Sequence, residues 1–394
     1  MKPLHICITT VLFDRKPEGI CTGRLIRALL QRGHRVTVLT SSKEGSSLHH
    51  PRLKKIVFSH RPRYPRALFK LMAGIEGGVF SNFYLWAKRA AGHDFAQDIP
   101  DVFYGRAWPH ASMVPAYQLA RKYRRPLLLH FSDPFPAPNE DVSFDGPFFR
   151  NLQKMVDVAG AITFTNSETI AYQQRHLNFD SAKAHVLNHI SPDPVMFDGA
   201  GQQGHFYHVG WVGPSRSPVP LLEGFALHVM DHPASRLYFV GANPKHVVPE
   251  IDARGLSEVV KVLPFTDDVQ TVFEKAGILV SIDTEATPAI FTPTKIVEYM
   301  VTSRPILAVT PQDSPVSRLL RRAPDTAVAV SDYAAEAVAA GMAQVLQLEW
   351  SGEVYEKRLA AMAEFGAMSV AAAFEEMVDA LMLKGARPAT DDRG

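Results

Sequence analysis

The feature that most constrains this chain is an alternation of short apolar runs with segments of helical spacing, which begins at once and starts afresh near the middle. PLHICITTVLF is an apolar, β-branched run ended by DRKPEG, and CTGRLIRALLQRG then places apolar residues three and four apart. Gly33 ends that helix as a C-cap, and RVTVLT (35–40) is the next strand, so the first forty residues form one βαβ unit. The pattern returns in DVFYGR (101–106), the helical ASMVPAYQLARKY, PLLLHF (126–131) and GAITFT (160–165). It resumes through FYHVGWVG, LLEGFALHVM, RLYFVGA, VVKVLPF, VQTVFEKA, GILVSID, TKIVEYMV and PILAVT. Strands apolar throughout and separated by helices predict parallel sheets covered on both faces.

At 394 residues the chain fits two domains rather than one. GAGQQG (199–204) interrupts the periodicity and reads as a flexible link. The expected organisation is a domain over 1–198, a linker over 199–204, a second domain over 205–355, alanine-rich helices over 356–386 and a disordered tail over 387–394. The two cysteines, Cys7 and Cys21, exclude a disulfide framework and a CxxC metal site, which points to a reducing, cytoplasmic setting. The N-terminal apolar run reads as a buried strand rather than a signal peptide, and no uncharged apolar run reaches the ~18 residues of a membrane span.

The net charge of +2 conceals an asymmetry: residues 1–195 hold 26 Lys and Arg against 15 Asp and Glu, and the remainder holds 16 against 25. A basic first half suits an anionic acceptor or peripheral contact with an anionic membrane, and RLKKIVFSHRPRYPRALFK (52–70) carries much of the excess. The plainer alternative is a solvated basic face. No nucleic-acid partner is expected.

Within FTPTKIVEYM, Thr292 is the expected N-cap and Pro293 the expected first helical residue. Lys295 in the first turn faces the positive end of the helix, which favours an anion there, and Glu298 shares its face three residues on. A diphosphate would take Lys295 while Glu298 accepts hydrogen bonds from a ribose diol; the alternative is an ordinary surface ion pair. In HFSDPF (130–135), Asp133 projects from a strand end, against the alternative of a turn-forming residue, and His130 is either its inward partner or a hydrogen-bonded core histidine. No GxSxG, HExxH or P-loop occurs, no GxGxxG follows the first strand, and the Asp267–Asp268 and Asp391–Asp392 pairs lack the setting of a metal-binding DxD, so no metal site is expected.

PTKIVEYMVTSRPILAV resembles the P-x-K-x-x-E-Y-M-x-x-x-x-P signature in the C-terminal domain of GT-B glycosyltransferases of the retaining family 4 type. RLIRALLQRGHRVTVLT resembles the N-terminal signature of the same family. The resemblance implies an α/β GT-B fold, two doubly wound Rossmann-like domains facing each other across a cleft, with a helical tail that packs back toward the first. It implies transfer, with retention and without metal or cofactor, of a sugar from a nucleotide diphosphate donor (UDP or GDP) to a saccharide or lipid-linked acceptor in surface polysaccharide synthesis. The setting would be the cytoplasm, peripherally at the inner face of the membrane.

By the same resemblance, Glu298 holds the donor ribose and Lys295 lies beside the phosphates. The loop VGWVGPSRSP, with Gly213, brings Arg216 to the leaving diphosphate, where its fork matches phosphate oxygens. Phe265 lines the base pocket, unless it is simply core; Gly19, in DRKPEGI, lets the backbone approach the ligand; Asp133 stands on the acceptor side. The catalytic residues would be Asp133, Arg216 and Lys295. The chain departs from the family pattern at Ile290, where an acidic residue is common, and Asp283 or Glu285 would supply the missing carboxylate. Two other functions fit the same fold: a nucleotide-sugar 2-epimerase, active without acceptor, and a GT-B scaffold that binds nucleotide without turnover.

Overall fold

The computed structural model describes residues 2–13, 17–41, 48–59, 83–107, 109–138, 147–199, 201–284 and 288–386. The chain divides into two units, one of Met1–Ile190 with Ala367–Gly394, the other Ser191–Gly366. Much of the basic stretch 52–70, Glu285 and the tail 387–394 lie outside the described residues.

In the first unit seven strands pair in parallel: β1 (His5–Thr9), β2 (Arg35–Thr40), β3 (Leu53–Val57), β4 (Val102–Arg106), β5 (Leu127–Phe131), β6 (Ala161–Phe164) and β7 (Ala184–Val186), in the order β3-β2-β1-β4-β5-β6-β7. Successive side chains point to opposite faces. Cys7, Phe103, Leu127 and Leu129 therefore join one core, and Ile6, Ile8, Val102, Tyr104 and Leu128 join the other. Both faces are covered, which is why the strands read as uninterrupted apolar runs. Strand β3, inside the stretch read above only as basic, keeps a mixed surface because it is the sheet edge.

The second core of this unit is completed from the far end of the chain. Val370, Ala371, Phe374, Met377 and Val378 of the helix Ala367–Ala386 pack with Leu25, Ile26 and Leu29 of the helix Pro17–Gln31. Beside them Glu375, only 7% exposed, accepts a bidentate bond from Arg32 at 2.5 and 2.6 Å and approaches His34 Nε2 at 2.7 Å. The Leu4 N–H donates to His34 Nδ1 at 3.1 Å, so the imidazole proton sits on Nε2 and points at the carboxylate.

The second unit has six parallel strands: β8 (Gln202–Val209), β9 (Arg236–Val240), β10 (Val260–Leu263), β11 (Ala276–Ile282), β12 (Ile306–Val309) and β13 (Ala327–Val330), in the order β10-β9-β8-β11-β12-β13. Its sheet too is covered on both faces, with Ile278, Val280 and Ile282 in one core and Leu279 in the other.

The expected boundaries move. The supposed flexible link over 199–204 runs into β8, and Gly201 within it serves packing. Gly201 has φ +69°, and a Cβ there would lie 2.2 Å from the Ala276 carbonyl oxygen, so only glycine lets β8 start against β11. The C-terminal helices also part company. The helix Gly352–Ala361 stays with the second unit because buried Arg358 donates to the Arg304 and Tyr299 carbonyls, both at 2.6 Å, and the Tyr355 hydroxyl to that of Val301 at 2.9 Å. Only the helix Ala367–Ala386 belongs to the first. Among the described residues no helix is long and apolar enough to cross a membrane.

The Arg32–Glu375–His34 cluster makes the terminal helix sensitive to acid. Its hydrogen bonds hold the Glu375 carboxyl below the ordinary value of 4.5. The stabilisation is thus complete above that value and disappears as the pH falls through the lower folded-state pKa. Glu375→Ala is expected to lower unfolding stability at pH 7 by about 2 kcal/mol, with the gap from the native protein narrowing below about pH 4, as denaturant titrations will show.

Candidate functional site

In the second unit the chain leaves β8 toward β9 on one side, while β11 pairs with β8 on the other. The carboxyl edge between β8 and β11 is the point where strand order reverses, and such points leave a crevice that side chains can line.

The segment FTPTKIVEYM closes on this edge. Its helix is Thr294–Tyr299, one residue later than expected: Pro293, with φ −61° and ψ 134°, is the N-cap, and Thr292 does not cap it. At six residues the helix dipole is modest, so the electrostatics here rest on side chains. Tyr299 fixes the helix to the sheet, its buried hydroxyl accepting the Val209 N–H at 3.0 Å, and burial pushes the phenol pKa up.

Lys295 then reaches back over β8. Its Nζ lies 3.0 Å from Nε2 of the fully buried His208. Gly210, at φ +110°, leaves room for it, since a Cβ there would stand 3.7 Å from Nζ. Burial first, and the Arg216 charge second, push the Lys295 amine well below its ordinary pKa, against the opposing pull of Asp283 and Glu298. His208 is likewise held well below its ordinary value by burial, then by Lys295 and Arg216. The imidazole is therefore neutral, and its Nε2 accepts from the amine.

Arg216 comes from a tight turn in which Arg216 N–H donates to the Gly213 carbonyl at 2.8 Å and Gly213 N–H to that of Arg216 at 3.2 Å. Glycine is needed there, because a Cβ would come within 2.3 Å of the Trp211 ring. The Arg216 Nε is buried without a hydrogen-bond partner, and no carboxylate of the described residues pairs with the guanidinium. The carboxylate nearest in effect is Asp283, 4% exposed, just beyond β11. It accepts the Thr284 N–H at 2.9 Å and the Thr310 hydroxyl at 3.1 Å, and Thr310 Oγ1 lies 2.7 Å from Ser314 Oγ. Burial raises its pKa, and the Thr284 N–H and Arg216 pull it back. Ile290, where a carboxylate was missed, is a core residue at 2% exposure.

Two basic side chains thus share a desolvated edge with one buried carboxylate. The Arg216 charge disfavours that of Lys295, and an anion brought between them would relieve this. Glu298, half-buried on the same helix, is close enough to raise the Lys295 pKa. Phe265 is not core: it is 71% exposed beyond β10, 3.4 Å from where a Cβ of Gly241 would stand. Its ring is open to stack on a planar ligand at the same carboxyl edge.

The structure brings Gly213, Arg216, Phe265, Lys295 and Glu298 to one edge of the second unit, while Gly19 and Asp133 belong to the first. Gly19 is not in a loop but in the first turn of the helix Pro17–Gln31, because Pro17 starts that helix earlier than the sequence pattern suggested. Asp133 follows β5, half-buried, in a segment held by Gln173, whose amide bonds both the N–H and the carbonyl of Phe135 at 2.9 and 2.8 Å. His130 is a buried histidine bonded through Nδ1 to Thr163 Oγ1 at 2.9 Å. His208 escaped notice in the sequence; a histidine two residues before a glycine, at the end of an apolar strand, was the available signal. A roomier cavity of about 850 Å³ lies at the opposite, amino edge of the second sheet, where Arg304 already donates to three backbone carbonyls.

Residues 19–188 match the family described as glycosyl transferase 4-like domain. Among solved structures the chain is similar to HepE of Anabaena, crystallised with UDP and glucose, at 14% identity and TM-score 0.69, covering 96% of this chain and 100% of that one. It is similar to sucrose-phosphate synthase of Thermosynechococcus elongatus at 15% identity and TM-score 0.67, with 98% and 100% covered. WaaG, a glycosyltransferase involved in lipopolysaccharide biosynthesis, aligns at 14% identity and TM-score 0.59, with 96% and 99% covered. No curated protein matches the sequence.

Tyr299→Phe isolates the pin between helix and sheet. Leaving the Val209 N–H unsatisfied is expected to lower stability by about 1–2 kcal/mol, measured by urea denaturation with an unchanged far-UV spectrum.

Proposed function

We propose that the chain, which matches a glycosyl transferase 4-like domain over residues 19–188 and shares its fold with solved glycosyltransferases, is a GT-B glycosyltransferase of the family 4 type whose second unit binds a nucleoside diphosphate sugar and passes the sugar to an acceptor hydroxyl. The observation that carries the reading is the surplus of basic groups at the carboxyl edge: Arg216, with Nε buried and unbonded, and Lys295, desolvated against His208. A diphosphate supplies the negative charge this edge lacks. Glu298 accepts hydrogen bonds from the ribose diol, the Gly213 turn lets the chain pass close to the phosphates, and exposed Phe265 stacks on the base.

In the reaction the bond from the anomeric carbon to the diphosphate oxygen breaks and a bond from the acceptor oxygen to that carbon forms. The acceptor proton passes to an oxygen of the departing diphosphate, and attack from the same face retains the anomeric configuration. Arg216 and Lys295 stabilise the charge that develops on the leaving group, so the rate gain is chiefly electrostatic and the work of a divalent cation falls to them. Asp133 of the first unit orients the acceptor, a saccharide or a lipid-linked saccharide, for which the basic balance of residues 1–195 is suited. The setting is the inner face of the membrane. The HepE complexes make UDP the first nucleotide to try.

Melting temperatures with UDP, GDP, ADP, dTDP and CMP test the donor class. A ligand at 100 times its Kd adds about 2.7 kcal/mol, a shift of several degrees. One nucleoside diphosphate, UDP first, is expected to stabilise the protein, with Glu298→Ala and Arg216→Ala each weakening it by about 2 kcal/mol, roughly thirty-fold. Absence of any shift would remove the reading.

A further inference from the structure

The first unit holds a second unmatched cation. Arg106, the last residue of β4, is 5% exposed. Its Nε donates to Thr22 Oγ1 at 3.1 Å, its Nη1 donates to the Tyr104 hydroxyl at 3.0 Å, and the guanidinium lies 5.4 Å from the Tyr104 ring centroid. Among the described residues no carboxylate pairs with it. Arginines this deep are rarely left so, because a desolvated charge needs an opposite one.

On the neighbouring strand His130, 1% exposed, has the complementary defect: its Nε2 is buried without a partner. One hydroxyl holds both groups in place, since Thr163 Oγ1 is 2.9 Å from the Tyr104 hydroxyl and 2.9 Å from His130 Nδ1. The direction of these bonds can be followed. Arg106 donates to the Tyr104 oxygen, so Tyr104 gives its own hydrogen to Thr163. The Thr163 hydroxyl donates to the Leu129 carbonyl at 3.3 Å and, turned instead to His130 Nδ1 at 2.9 Å, puts the imidazole proton on Nε2, the tautomer in which Nε2 can donate to a ligand.

Arg106 and His130 line the same cavity of about 10 Å³, closed also by Cys21, Asn188 and His189. Such a space takes one oxygen atom. Of its lining residues, Asn188 and His189 are half-buried. We propose that it is an oxyanion subsite, which seats one oxygen of a carboxylate or phosphate group of a ligand of the first unit. Arg106 supplies the charge and His130 Nε2–H a second hydrogen bond. It stands at the carboxyl ends of β4 and β5, the edge at which open parallel sheets receive ligands. The inference does not rest on the nucleotide reading of the second unit.

The test compares melting temperatures of the full chain in sodium acetate and in sodium phosphate with sodium chloride at equal ionic strength. Native protein, Arg106→Met, His130→Phe and, to separate the second unit, Arg216→Ala are measured. The expected result is a rise of a few degrees with acetate or phosphate in the native protein and in Arg216→Ala, lost in Arg106→Met and reduced in His130→Phe. A response to acetate alone names a carboxylate ligand, and a response to phosphate alone a phosphorylated one. No rise over chloride in the native protein overturns the proposal, as does an equal rise in Arg106→Met or a rise that Arg216→Ala abolishes. Should Arg106→Met fail to fold, His130→Phe decides in its place.

Discussion

The Arg216 charge makes it harder for Lys295 to carry its own, and the second unit holds both side chains at the end of one strand. The helix that carries Lys295 is fixed through the Tyr299 hydroxyl to the Val209 N–H, and Arg216 is fixed by the Gly213 turn immediately beyond the same strand. His208 lies beneath the amine and, being neutral, takes its hydrogen bond without adding a positive charge. Among the described residues Asp283 is the one carboxylate buried nearby, and its oxygens accept from Thr284 and Thr310. The net effect is an edge that is strained electrostatically when empty of anions and relaxed when one is bound.

The scaffold explains why this happens at an edge rather than within a core. Parallel strands apolar on both faces leave no room for polar groups along their length, so the chemistry collects where the strands end and the chain turns. In each unit the cations follow that rule: Arg216 and Lys295 beyond β8, Arg106 at the end of β4. The other buried arginines among the described residues, Arg304 and Arg358, are occupied with backbone carbonyls and act as internal ties.

What could be read in the sequence divides along physical lines. The βαβ alternation was legible because period-two and period-3.6 patterns are local, and RVTVLT and PLLLHF fall on β2 and β5 almost residue for residue. Gly213, Arg216, Lys295, Glu298 and Phe265 were singled out through motifs, and all five lie toward the carboxyl edge of the second unit. Less legible was anything set by distant contacts. The glycines of GAGQQG looked flexible, yet Gly201 is dictated by β11, more than seventy residues later. The split between the two C-terminal helices depends on what Arg358 and Glu375 touch, not on their own alanine-rich pattern. His208 and Arg106 each sit in an apolar strand, where a polar residue gives no sign of the partner it lacks.

Calorimetric titration of UDP and of uridine, into the native protein and the Arg216→Ala and Lys295→Met variants, tests the central claim most directly. Uridine offers the base and ribose without the phosphates. If the two cations exist to receive a diphosphate, UDP binds the native protein far more tightly than uridine, and each variant narrows that gap by about tenfold or more while leaving uridine binding unchanged. A gap of the same size in native protein and variants would contradict the account, since the phosphates would then be held by other groups.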